Sequence, residues 1–256
     1  MGCVTAFRYA RPVPSASHFM NRVSISGAVL ALATCFASTP VRSARPFVVD
    51  DARVVERGAC QVEAWHKRNA GSLEYWALPA CNPFGLELSA GGGHLSTVAP
   101  GAPYGRDYQF QVKGLFRELT TNGVGVGLAA GVVRHADINT QQNLIGSRYV
   151  YAPVSFSLND DRIVVLTNLG LLDSRDEKRR GLSWGLGGEF YVTPRFMLLA
   201  EAYGATGFDR FAQAGVRWWV VPDRVQVDST YGWQLNGTHR TEWITFGLRL
   251  ITRPLL

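Results

Sequence analysis

The sequence predicts an all-β fold, a transmembrane antiparallel β-barrel of about twelve strands. Three observations predict it. Apolar and polar residues alternate with period two through one short segment after another from Ala59 to the end of the chain. The links between these segments alternate between tight turns and longer polar loops. Beyond Arg45 no apolar run approaches the roughly 20 residues that a membrane helix requires, so a membrane could be crossed only by strands.

The predicted strands are 60–68, 72–79, 85–93, 106–118, 123–135, 146–158, 162–172, 181–192, 195–205, 210–220, 224–233 and 241–252. Successive side chains of a strand point to opposite faces, so each can be read as two lists. In 106–118, Gln109, Gln111, Lys113 and Arg117 face away from Phe110, Val112 and Phe116. In 181–192, Ser183, Gly185, Gly187, Glu189 and Tyr191 oppose Leu182, Trp184, Leu186, Gly188 and Phe190. In 195–205, Met197, Leu199, Glu201 and Tyr203 oppose Phe196, Leu198, Ala200 and Ala202. The segment RFAQAGVRWWVV sets Phe211, Gln213, Gly215, Arg217 and Trp219 against Ala212, Ala214, Val216, Trp218 and Val220. After Pro222-Asp223, Arg224, Gln226 and Asp228 oppose Val225 and Val227. The last strand sets Trp243, Thr245, Gly247 and Arg249 against Ile244, Phe246, Leu248 and Leu250. Most segments have about the 9–11 residues a tilted strand needs to cross a bilayer.

Thr120-Thr121-Asn122, Asn159-Asp160-Asp161, Thr193-Pro194 and Pro222-Asp223 are compact turn chemistry. Gly93–Gly105, Asp137–Ile145, Asp173–Arg180 and Asn236–Arg240 are longer. Short turns on one side and long loops on the other are the layout of an outer-membrane barrel, with short turns and both termini in the periplasm. Cys60 at the start of the first strand and Cys81 in the turn after the second then fall on the same side. In an exported chain this predicts a Cys60–Cys81 disulfide.

Export is predicted from the N-terminus. Met20-Asn21-Arg22 precedes the apolar stretch Val23–Ala33, and Val41 and Ser43 are small residues ahead of a cleavage site. Residues 1–43 read as a signal peptide whose true start is Met20. A lipidated Cys35 is the less favoured alternative, because Thr34 fits a lipoprotein signal poorly. The leader holds four arginines and no acidic residue, leaving 22 basic and 20 acidic residues in the mature chain. That balance lacks any basic stripe and excludes a nucleic-acid partner. Residues 44–58 are expected as a periplasmic segment able to enter the barrel and partly plug it, with Asp50 and Asp51 pairing with interior arginines. Residues 59–256 form the barrel.

In a membrane barrel the apolar list meets lipid and the polar list lines the lumen. The lumen-lining candidates are Lys113, Arg117, Glu189, Glu201, Gln213, Arg217, Arg224, Asp228 and Arg249. Ionised groups taken out of bulk water must pair, so a salt-bridged filling of the barrel is the plain reading of these residues. A polar path or ligand cradle is the functional one. Trp184 and Trp218 suit an interfacial aromatic girdle. The glycine-rich Gly123–Gly131 lacks the strand–turn–helix setting of a phosphate loop. It is expected at a barrel bend or beneath a bulky neighbour. The histidines show no metal spacing and no nucleophile motif is present, so neither cofactor nor enzyme activity is expected.

Arg45-Pro46-Phe47-Val48-Val49-Asp50-Asp51-Ala52, followed by Gly58 and Gln61-Val62-Glu63, resembles the mature start of a family of proteobacterial outer-membrane proteins associated with the meta-cleavage pathway of phenol degradation. The segment around Cys81, ACNPFG, is similar to a subset of them. The resemblance implies an outer-membrane location and passage of small, often aromatic, compounds. It implies no catalytic residue. Members of such barrels usually end in an aromatic residue; this chain ends Arg253-Pro254-Leu255-Leu256. The expected function is passive passage or binding of a small molecule by a monomer in contact with lipid and lipopolysaccharide, with Arg217, Arg249, Glu201 and Asp228 setting selectivity. The alternatives are a structural or surface-contact barrel acting through its loops, and a lipid-modifying enzyme.

Overall fold

The computed structural model describes residues 47–69, 71–97, 105–135, 147–175, 178–236 and 241–255. Twelve strands follow one another in chain order: β1 (Cys60–Asn69), β2 (Ser72–Cys81), β3 (Leu86–Thr97), β4 (Gly105–Arg117), β5 (Val124–His135), β6 (Ser147–Leu158), β7 (Ile163–Ser174), β8 (Arg179–Tyr191), β9 (Phe196–Ala205), β10 (Arg210–Val221), β11 (Val225–Gln234) and β12 (Glu242–Ile251). Each pairs antiparallel with its chain neighbour, and β1 pairs with β12 from Gln61↔Ile251 to Asn69↔Trp243. Closure leaves no unpaired strand edge, which is the condition for backbone to cross hydrocarbon.

The links sort by end of the barrel. At the end holding Cys60 and Ile251, the terminal end, the turns are tight. Asn122, Asn159, Asp160, Asp161 and Asp223 take positive φ of 53–64°, a conformation that Asn and Asp tolerate best among residues with a side chain. Neighbouring turns are joined: the Asn122 side-chain amide donates to Asp160 at 2.7 Å, and Thr121 donates to Asp161 at 2.6 Å. The disulfide Cys60–Cys81 is formed between register partners of β1 and β2 at this end. The tail after β12 closes back on the start of the barrel, Thr252 N–H to Cys60 O at 2.8 Å and Leu255 N–H to Gly58 O at 2.8 Å. The strand ends that the longer links join lie at the opposite, loop end.

Alternation is realised around the wall. Tyr108, Phe110, Leu128, Phe156, Leu169, Leu186, Phe190, Leu198, Trp218, Ile244, Phe246 and Leu248 are all exposed outward. A continuous apolar belt of this extent on a monomer's outside is a lipid-facing surface. Inward positions hold the buried charges and amides.

The inner wall is not uniformly polar. Val164, Leu166, Tyr191, Met197, Leu199 and Trp219 form an apolar patch on β7–β10, and Phe47 and Val49 pack on it. Phe47, Val49, Asp51, Ala52 and Val55, from the segment preceding β1, are all buried against the inside of the barrel.

Candidate functional site

The interior is divided by residues 47–55, and the character of each part is set by the side chains that the strands present inward. The segment belongs to no strand, so its peptide groups need partners from the wall. Glu201 on β9 accepts the N–H of Val48 and of Val49 at 2.9 Å each, one with each carboxylate oxygen, and also accepts from the Gln213 amide at 2.6 Å. Asn168 on β7 accepts from Asp50 N–H and donates to Asp50 O, both at 2.7 Å. Ser155 accepts from Ala52 N–H at 2.8 Å, and Glu87 from Val55 N–H at 2.8 Å. Asn82 donates to Val55 O at 2.7 Å. Small inward residues make room. A Cβ on Gly185 would lie 2.6 Å from Val49 Cγ2, and one on Gly125 would lie 2.9 Å from Ala52 Cβ.

On the terminal side of this segment the charges are knitted together. Lys113 donates to Asp50 at 2.8 Å and lies 3.6 Å from Asp51. Tyr151 also donates to Asp50, at 2.8 Å. Arg53 bridges Asp51 and Glu189, 3.3 Å from each, and Arg217 donates to Glu189 at 2.7 Å. Arg249 donates to Gln61 and lies 3.5 Å from Glu63. Both Asp228 carboxylate oxygens, Gln226 Oε1 and Arg249 Nη1 are buried with no protein hydrogen-bond partner among the described residues.

Toward the loop end lies a cavity of about 1140 Å³, floored by Phe47, Val48 and Val49. Its walls carry many aromatic rings, with Lys67, Glu74, Arg179, Asp209 and Arg210 as charged members of the lining. Trp65 and Trp76 stack with centroids 5.5 Å apart and planes 4° from parallel. Phe211 meets Trp243 edge-on at 5.8 Å and Tyr203 at 5.6 Å. Lys67 Nζ sits 5.1 Å over the Trp243 ring, a cation–π distance. Gln109, Gln111 and Gln213 supply amides among these rings. Glycine makes this lining fit. A Cβ on Gly93 would fall 2.4 Å from the Trp76 ring, on Gly232 2.2 Å from Trp243, and on Gly131 2.3 Å from the Tyr149 hydroxyl.

Of the residues singled out from sequence, Lys113, Glu189, Glu201, Gln213, Arg217, Asp228 and Arg249 are buried on the inner wall. Arg117 is not there. A bulge between Leu115 and Arg117 inserts a residue into β4, which reverses the face of the residues after it and leaves Arg117 exposed at the terminal rim. Arg224 lies half-buried in the turn before β11, outside the strand. Asp50 pairs with Lys113, and Asp51 with Arg53 and Lys113. Sequence reasoning passed over Glu63, Glu87, Asn168 and Ser155. For Asn168 a signal existed: it interrupts the apolar run IVVLTNLGLL.

Residues 31–251 match the family model described as "Uncharacterised conserved protein UCP029691". The chain belongs to this family. No curated protein matches the sequence. Among solved structures, the "KdgM porin" superposes with a TM-score of 0.56 at 10% identity, over 74% of this chain and 98% of that one. The "NanC porin" gives 0.55 at 7% identity, over 75% and 98%. An outer membrane channel from Pseudomonas putida F1 gives 0.54 at 12%, over 82% of this chain and all of that one. At these identities the likeness is one of fold: this UCP029691 member shares the closed antiparallel barrel of those proteins. None of these matches carries an association with phenol degradation.

Proposed function

We propose that the protein is an outer-membrane channel for a small, aromatic-bearing compound, closed at rest by residues 47–55. The observation that carries this reading is the aromatic cavity of about 1140 Å³ that reaches the loop end and stops at Phe47–Val49. Its size and its mixture of rings with a limited set of amides and charged groups suit one small ligand. The resemblance of Arg45–Glu63 to the meta-pathway family points the same way. In this reading residues 1–43 are removed on export, the terminal end faces the periplasm, the loop end faces outside, and the protein acts as a monomer. Lys113, Glu189, Glu201, Gln213, Arg217, Asp228 and Arg249 line the path once the segment leaves, with Arg224 in the turn at its periplasmic rim. The role is non-enzymatic and needs no cofactor: porin-type barrels hold or pass solutes without covalent chemistry.

Passage needs two steps. The solute enters the cavity by stacking on Trp65, Trp76 and Trp243, and the segment then yields its hydrogen bonds to Glu201, Asn168 and Ser155. Planar-bilayer recording on the refolded mature chain and on a chain starting at Ala59 tests this. The full chain is expected to conduct rarely and the shortened one persistently. Silence from both would leave a structural or surface-contact barrel as the better account.

A further inference from the structure

The outer wall carries a feature that the channel reading does not use. On the loop side of the apolar belt, β3–β6 present His94, Arg106, Arg134 and Arg148 outward, all exposed. The register makes them neighbours. His94 opposes Arg106, Tyr108 opposes Arg134, and Val132 opposes Arg148. Successive arginines are therefore diagonal partners, roughly 7–8 Å apart per step. Asp173 opposes Arg148 in register, but its ion pair, at 3.4 Å, is with Arg180. The row crosses four strands, its arginines three of them, and is wider than one phosphodiester.

A groove of about 450 Å³ descends from this row into the belt. Ala77 and Gly92 are its floor, Tyr75 and Tyr108 its sides, and His94 and Arg106 its upper end. Gly92 keeps it open, because a Cβ there would lie 2.3 Å from the Asp107 carbonyl oxygen. The Tyr75 ring is held by stacking on His66, with centroids 4.6 Å apart. A cationic row above an apolar slot on a lipid-facing wall is complementary to an amphiphile with phosphate in its head and an acyl chain below.

We propose that this seam binds the phosphorylated, acylated glycolipid of the outer leaflet. Its phosphates rest on Arg106, Arg134 and Arg148, and one acyl chain lies between Tyr75 and Tyr108. The choice of that lipid rests on the reading that the loop end faces outside; the amphiphile site itself does not. Native mass spectrometry of the mature chain in detergent, titrated with lipid A, phosphatidylglycerol or phosphatidylethanolamine, tests it. Lipid A is expected to be retained in preference to both phospholipids. The R106A/R134A/R148A variant should lose roughly 100-fold in apparent affinity, and A77W, which fills the groove and leaves every charge, should lose retention as well. Equal binding by wild type and the triple variant, or phosphatidylglycerol retained as well as lipid A, overturns the proposal. Labelling of N236C by an impermeant maleimide on intact cells reports orientation separately. An unlabelled cysteine would put the loop end inside and overturn the glycolipid as occupant, whatever binds in detergent.

Discussion

Replacing Glu201 by alanine isolates what holds residues 47–55 in the barrel. The carboxylate accepts two backbone N–H groups of the segment, from Val48 and Val49, at 2.9 Å each. Hydrogen bonds to a charged group contribute about 1.5–3 kcal/mol apiece, so E201A weakens docking by about 3–6 kcal/mol. Burial of Phe47, Val49 and Val55 contributes a further ~1.5–3 kcal/mol each, and E201A leaves that contribution in place. The variant should therefore stay mostly docked while its undocked fraction rises by two or more orders of magnitude, at about 1.4 kcal/mol per tenfold. The modification rate of V49C by a small water-soluble thiol reagent is proportional to that fraction. On a V49C background, E201A should raise the rate about 100-fold or more, with the barrel itself unchanged by circular dichroism. A rate unchanged within about threefold would show that Glu201 does not hold the segment, and the channel reading would lose its closing device.

Other expectations are more local. C60S/C81S removes a link across a sequence separation of 21 residues, costing about 3 kcal/mol on a chain-entropy estimate; the thermal midpoint in detergent should fall, without change in strand content. G93A places a Cβ 2.4 Å from the Trp76 ring, so the Trp65–Trp76 stack should break, read as loss of its near-ultraviolet exciton signal and weaker retention of an aromatic probe. In the chain starting at Ala59, Glu63, Glu87, Glu189, Glu201 and Asp228 face Lys113, Arg217 and Arg249 alone among the described buried residues of the inner wall. Reversal potentials in a salt gradient should show modest cation preference, and E189Q should reduce it.

How far the sequence could be read depended on the range of the physics involved. All twelve strands were legible because period-two alternation and turn chemistry are local, and the observed bounds fall within a few residues of those expected. Parity also placed Lys113, Glu189, Glu201, Arg217 and Arg249 on one wall. It failed at Arg117, where one bulged residue changes the face and leaves no mark in composition. Docking of the N-terminal segment was legible only as an option. Its bonds join residues such as Val49 and Glu201, 152 positions apart, and nothing local in either stretch names the other. Parity put Tyr191, Met197, Leu199 and Trp219 on the inward lists as well, but what covers this apolar patch, Phe47 and Val49, was not legible for the same reason.

The glycines connect fold to function most directly. Gly125 and Gly185 let the segment approach the wall, whereas Gly93, Gly131 and Gly232 let aromatic rings lie against it. A glycine in a strand weakens it by forgoing side-chain packing, so a barrel that served only as a filled structural cylinder would do better with larger inward residues. Here the space that glycine leaves is used twice, by a chain segment that closes the passage and by rings that line the cavity above it. If closure by the segment is what Gly185 is for, G185V should expel Val49 and raise conductance in the full chain, while leaving the chain that starts at Ala59 unchanged. An equal effect in both would mean that Gly185 serves the wall and not the segment.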